Sequence, residues 1–253
     1  MDTDISPILD AWEYDSGQVV VRQITGVDGK PKLQLRLDLG VLQMELDGRP
    51  DGQRPHGEES LLEYYVAQLQ EHSAKYGTDA GFTLSPDDCY DLQEEALQYY
   101  HRYVSLLAVG DYARAERDTA RNLRVFDLVF KHAKHQSDKY VLERSRPYVI
   151  LMNTRARALA SLEEGNRNRA IRRIRQGMEL IKQSFGDCDE GKPEDRSAEL
   201  AFLGAWLRDV KERHPPGPEE QLREELQWAV DVEDYQRAAQ IRNEIRKLET
   251  PED

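Results

Sequence analysis

Residues 106–115 read Leu-Leu-Ala-Val-Gly-Asp-Tyr-Ala-Arg-Ala, and this stretch decides the fold. Gly110 can end a helix in the left-handed conformation, and Asp111 can cap the helix that follows. Ala115, four residues on, is small enough for a paired helix to approach closely. The pattern returns 55 positions later as Ser161, Leu162 and Gly165-Asn166-Arg167-Asn168-Arg169-Ala170. A related elbow reads Glu233-Asp234-Tyr235-Gln236-Arg237-Ala238; Glu233 stands where the other two have glycine, so that turn must differ. Three such elbows predict a chain that is helical from Ser85 to about Glu249.

Working outward, the helices fall at 86–109, 112–136, 138–163, 167–185, 194–213, 219–232 and 235–248. Ser85-Pro86-Asp87-Asp88 supplies a hydroxyl cap, a proline at the first helical position and acids at the positive end of the dipole. Pro147 either kinks the third helix or restarts it after Arg146. The segment 186–195, GDCDEGKPED, reads as a loop, and His214-Pro215-Pro216-Gly217-Pro218 as a stiff linker. Upstream, 59–76 has Leu61, Leu62, Tyr65 and Leu69 at helical spacing. Residues 12–48 read as β-structure. Val19-Val20-Val21 precedes Asp28-Gly29, a type I′ hairpin signal, and then Leu33, Leu35, Leu37 and Leu39 alternate. At Gly40 the phase slips to Leu42, Met44 and Leu46. Gly40 is thus a bulge or bend, at which one strand re-aims its face or splits into two. A three-stranded meander is marginal alone, and the helix at 59–76 is expected to cover it. The chain is therefore mainly α, a helical hairpin bundle or solenoid, with a small N-terminal antiparallel β-meander. Three regions follow: 1–58 meander and linker, 59–214 hairpin bundle, 215–253 linker and terminal hairpin.

Composition narrows the function. The 253 residues carry 35 Lys+Arg against 48 Asp+Glu, a net charge of -13, and only 39% are hydrophobic. So acidic a chain disfavours general duplex binding, although a local basic patch can act alone. No run approaches the ~18 apolar residues of a membrane span. The N-terminus MDTDISPILDAWEYD is acidic and lacks the pattern of a secretory signal or transit peptide. Cys89 and Cys188 stand far apart, outside any CxxC pair, as expected of reduced thiols in a cytoplasmic protein. No Walker loop, dinucleotide-binding glycine loop, HExxH or GxSxG occurs, so neither a cofactor nor a catalytic residue is expected. His132 and His135 share a predicted helical face but lack a third ligand. A solvated KHAKH face is the plainer reading, and no metal site is expected. Asp87, Asp88 and Asp91 are explained as helix N-terminal acids.

Residues 219–249 read EEQLREELQWAVDVEDYQRAAQIRNEIRKLE. Leu222, Leu226, Ala229 and Val230 form one apolar stripe, and Ala238, Ile241, Ile245 and Leu248 the facing one, with Ala239 on its flank. With the turn acids Glu233-Asp234, Tyr235 and Arg242, these residues resemble the UVR domain, also called the UvrB/UvrC motif. The family usually has an acid after the arginine, where this chain has Asn243. The resemblance covers about 31 of 253 residues. It implies a short antiparallel hairpin that pairs with a like hairpin or a partner protein, and the activities of the nucleases, helicases and ATPases that carry it do not reside in the hairpin. The family's small regulators carry paired-cysteine zinc sites, which this chain cannot build. The partner-binding residues expected from it are Leu222, Leu226, Ala229, Tyr235, Ala238, Ala239, Ile241, Arg242, Ile245 and Leu248. The first two elbows also resemble tetratricopeptide-type hairpins, at a spacing of 55 where a standard repeat has ~34.

One basic feature stands apart: residues 167–175, RNRAIRRIR, place Arg169, Arg172 and Arg173 on one helical face. They could bind nucleic acid or another anion, or compensate acids such as Glu94-Glu95 or Glu163-Glu164 on neighbouring helices. The expected function is that of a non-catalytic bacterial adaptor, cytoplasmic, acting through the terminal hairpin in DNA repair or protein quality control. The alternatives are a nucleic-acid-associated protein using Arg169, Arg172 and Arg173, and an enzyme of unknown type.

Overall fold

A computed structural model describes residues 4–185, 197–213, 218–231 and 234–249. The loop at 186–195 with Cys188, the linker prolines 215 and 216 and the turn residue Glu233 lie outside the described residues. The chain forms two compact units, 1–203 and 204–253.

The first unit opens with a short helix α1 (Ser6–Asp10), absent from the sequence expectations, and an antiparallel sheet β1 (Val21–Thr25), β2 (Pro31–Leu37), β3 (Gly40–Glu45) in that order. Leu37 pairs with Gly40, Leu35 with Leu42 and Leu33 with Met44. The phase slip at Gly40 is thus the signature of a two-residue turn at Asp38-Leu39: odd positions of β2 and even positions of β3 share a face. Leu39 sits in that turn and is 91% exposed, outside the apolar face. At the other hairpin, Gly29 has φ 75° but Asp28 does not share its positive φ. Gly29 N–H donates to Gly26 O, and Gly26 N–H to Lys30 O. That is a turn closed by one left-handed glycine, not the expected type I′ pair.

Leu33, Leu35, Met44 and Leu46 form a core with Tyr103, Leu106, Ala115, Met152 and Ala156. The sheet is therefore covered by α3 (Pro86–Ala108), α4 (Tyr112–His132) and α6 (Arg146–Glu163). The helix expected over it, α2 (Leu61–Tyr76), packs elsewhere. Its Leu61, Leu62 and Tyr65 join a second core with Leu84, Leu92, Val125, Phe126 and Val129. α2 carries its apolar residues mainly in its first turns, and these anchor on α3 and α4.

The expected helix 112–136 stops at His132. Leu84 N–H donates to His132 O and Lys134 N–H to Leu84 O, pulling Ala133 into an isolated bridge. α5 (Gln136–Glu143) follows, and Pro147 lies in the first turn of α6, so the chain restarts there and does not kink. α7 (Arg167–Ser184) pairs with α6, and at their closest approach Gly177 has no room for a β-carbon because Thr154 occupies the space. The unit's last described turn belongs to α8 (Ala198–Arg213), whose Ser197 hydroxyl accepts from Leu200 N–H.

Several charged residues are buried between the sheet and α2–α4. Arg102 and Asp118 pair at 2.6 and 2.9 Å, and Arg102 also donates to Glu45 O and Gly48 O. Glu95 accepts from Leu61 N–H and Leu62 N–H at the start of α2 and pairs with Arg121 and Arg49. Glu95 is thus a fixed anion at a helix N-terminus, and not a partner for the arginines of α7.

Candidate functional site

The three elbows share a cap bond and a closing backbone bond. Gly110 and Gly165 have φ of 80° and 72°. Asp111, Asn166 and Asp234 each accept, through a side-chain oxygen, the N–H three residues on, at 3.1, 3.0 and 3.0 Å. Each cap residue also donates its own N–H to the carbonyl five residues back: Asp111 to Leu106, Asn166 to Ser161 and Asp234 to Ala229. That bond closes the helix end. Ala115, Ala170 and Ala238 are all buried, as close packing after the turn requires.

The third elbow joins α9 (Pro218–Asp231) to α10 (Tyr235–Glu249). Ala229, Ala238, Ile241 and Ile245 form the seam, with Leu222 and Leu226 packed against it. Glu225 holds Arg237 across the two helices at 2.5 and 3.0 Å, and that bond raises the arginine's pKa. The ten residues expected to contact a partner therefore separate. Ala229, Ala238, Ile241 and Ile245 are consumed inside the hairpin, and Ala239 and Arg242 face solvent. Tyr235 is 68% exposed. Val230 lies off its stripe at 40% exposure. The side chain of Leu248 is outside the described residues. Stripe periodicity alone misses Trp228, which is 61% exposed. Its signal lies in its spacing: it falls two residues from Leu226, on the opposite face of the helix. Trp228 and Val230 in the last turn of α9 and Tyr235 in the first of α10 place exposed apolar groups at one end of the hairpin.

The arginines of α7 are differently employed. Arg169 pairs with Glu164 at 2.9 Å, and Arg173 lies 3.9 Å from Glu116 and donates to Arg157 O. Burial lowers the Arg173 pKa. Arg172 is exposed. Compensation of Arg169 by Glu164 matches the expectation, whereas Glu95 is engaged elsewhere. The histidine pair is also separated. His132 ends α4, buried against Phe82 with ring centroids 5.3 Å apart, and His135 precedes α5. KHAKH is thus not a solvated helical face. Among the described residues no group of three or more His, Cys, Asp or Glu is placed to hold a metal ion, and no helix is long and apolar enough to cross a membrane. Ser85 and Asp88 form a reciprocal capping box, and Asp88 also accepts from Tyr65 Oη at 2.6 Å. Asp88 is therefore structural.

No curated protein and no solved structure matches the chain significantly. Residues 220–250 match the family model described as the UvrB/uvrC motif, a motif associated with DNA-repair proteins and protein–protein interaction, and α9–α10 is therefore a UvrB/uvrC-motif hairpin at the C-terminus of this chain.

Proposed function

We propose that the chain is a non-catalytic adaptor of the bacterial cytoplasm that recruits a protein partner, or a second copy, through the α9–α10 hairpin, in DNA repair or protein quality control. The observation that carries this reading is the division of labour within the hairpin. Its small seam closes on Ala229, Ala238, Ile241 and Ile245, while Trp228, Val230 and Tyr235 stay exposed. A pair of helices with so small a core gains stability by covering such groups against a partner. The absence of catalytic motifs from the sequence supports the non-catalytic part. The wide separation of Cys89 and Cys188, outside any CxxC pair, supports the compartment.

The test compares the full chain with Ala238→Glu and with Trp228→Ala/Tyr235→Ala. Ala238 is 5% exposed in the seam, so a carboxylate there must either stay unpaired or part the helices. Affinity capture identified by mass spectrometry, together with sedimentation, should show loss of the partner or of self-association in both variants. The melting of the first unit should not change. Full binding by Ala238→Glu would remove the hairpin as the contact.

A further inference from the structure

The first unit carries a groove that the hairpin reading does not use. α3, α4 and α5 line two adjoining hollows of about 300 and 210 Å³, the larger bounded also by α6, and the two share Gln93, Val141 and Leu142. Their walls are largely apolar and partly uncovered: Leu97 is 47%, Val141 45% and Tyr90 60% exposed. Exposed apolar side chains concentrated along one groove mark an interaction surface.

The charge of the groove specifies what would cover it. Its charged lining residues are Glu94 and Asp138, and no lysine or arginine lines either hollow. Exposed Asp87 and Asp91 extend the acidic rim along the same face of α3 as Glu94. Asp138 bears the decisive detail. One carboxylate oxygen accepts from the Ser137 hydroxyl. The other, Oδ2, is buried and accepts no hydrogen bond among the described residues. A buried carboxylate oxygen beside apolar walls is poorly stabilised until a donor reaches it, and a cationic donor serves best. The acidic rim disfavours nucleic acid and anionic lipid. Each hollow lies at or below the lower end of the range for small-ligand sites, and two in line suit successive side chains of a peptide.

We propose that this groove binds a peptide segment of a partner protein, its apolar side chains entering between α3 and α5 and a lysine or arginine pairing with Asp138. The groove lies wholly within the first unit, so the proposal stands apart from the hairpin reading.

Random 12-residue peptides displayed on phage, selected on the full chain, provide the probe. Synthetic copies of the enriched sequences are then titrated by fluorescence anisotropy. The expected peptides combine Arg or Lys with Leu, Ile or Phe, and their affinity falls with added salt. Asp138→Asn should weaken them by roughly tenfold or more, the effect of losing a charge-assisted hydrogen bond. Leu97→Ser/Val141→Ser should weaken them comparably. Both side chains are half exposed, so that variant keeps its fold, as circular dichroism checks. Ala238→Glu should bind them as the unaltered chain does. The proposal is overturned by a selection that enriches nothing or enriches acidic peptides, or by binding indifferent to Asp138→Asn. A dimer lost in Leu97→Ser/Val141→Ser but kept in Ala238→Glu would overturn it in favour of a second copy. Failure here together with hairpin binding intact would leave the adaptor reading standing.

Discussion

Replacing Arg102 by methionine should destabilise the first unit more than any surface change. Arg102 and Asp118 are each 1% exposed in their side chains. Arg102 makes two bonds to the carboxylate and two more, at 3.0 and 2.8 Å, to the carbonyls of Glu45 and Gly48, where the sheet ends. Methionine fills much of the same space, so the cost comes from what is left behind. Breaking one side of a buried ion pair costs about 3–5 kcal/mol. Asp118 keeps one bond at 3.1 Å from Arg117, which reduces the loss. The two orphaned carbonyls add back roughly 1 kcal/mol or more. We therefore expect a loss of about 3–5 kcal/mol by urea unfolding followed by circular dichroism, or a fall in Tm of roughly 6–20 °C for a unit of this size. The double variant Arg102→Met/Asp118→Leu removes both charges and should recover most of the loss. A single variant within about 1 kcal/mol of the unaltered chain would refute the reasoning, as would a double variant no more stable than the sum of the singles.

Gly177→Ala should also destabilise, by about 1–3 kcal/mol in a thermal melt, because the added methyl meets Thr154 where α6 and α7 approach; a gain of stability would show that only helix propensity acts there. Hydrogen bonds from Arg114 and then Arg117 hold the Asp47 pKa at about 2, below its unfolded value near ~3.9. Its stabilisation is therefore present above that unfolded value and disappears as pH falls through about 2. The Tm gap between the unaltered chain and Asp47→Asn should be small at neutral pH, since the group is largely exposed, and should close over that acidic window; a gap that widens on acidification would contradict the assignment. Alanine at Arg169, Arg172 and Arg173 should leave any weak nucleic-acid binding of the chain unaltered in a salt titration, given the ion pairs of Arg169 and Arg173. A steep salt dependence abolished by that variant would instead make α7 a nucleic-acid surface.

The elbows and the terminal hairpin are legible in the sequence because their signals are local. A left-handed glycine, a capping side chain and a small residue four positions on act within one turn and mean the same wherever they occur, as Gly110-Asp111-Ala115 and Gly165-Asn166-Ala170 demonstrate. Strand alternation is legible too, and even the phase slip at Gly40 carries the parity of a two-residue turn. What the sequence could not decide was which faces meet. Glu95 and Arg102 occupy helix positions that elsewhere face water, and only the placement of α2, α4 and the end of the sheet around them makes them a buried charge network. The cover of the sheet passed from α2 to α3, α4 and α6 for the same reason: several amphipathic helices offered an apolar face, and chain connectivity and shape chose among them. In the hairpin, periodicity identified the apolar residues. The pairing of α9 with α10 determined which of them are consumed in the seam and which, with Trp228 and Tyr235, remain outside. Burial depends on contacts between segments distant along the chain, and no local pattern encodes it.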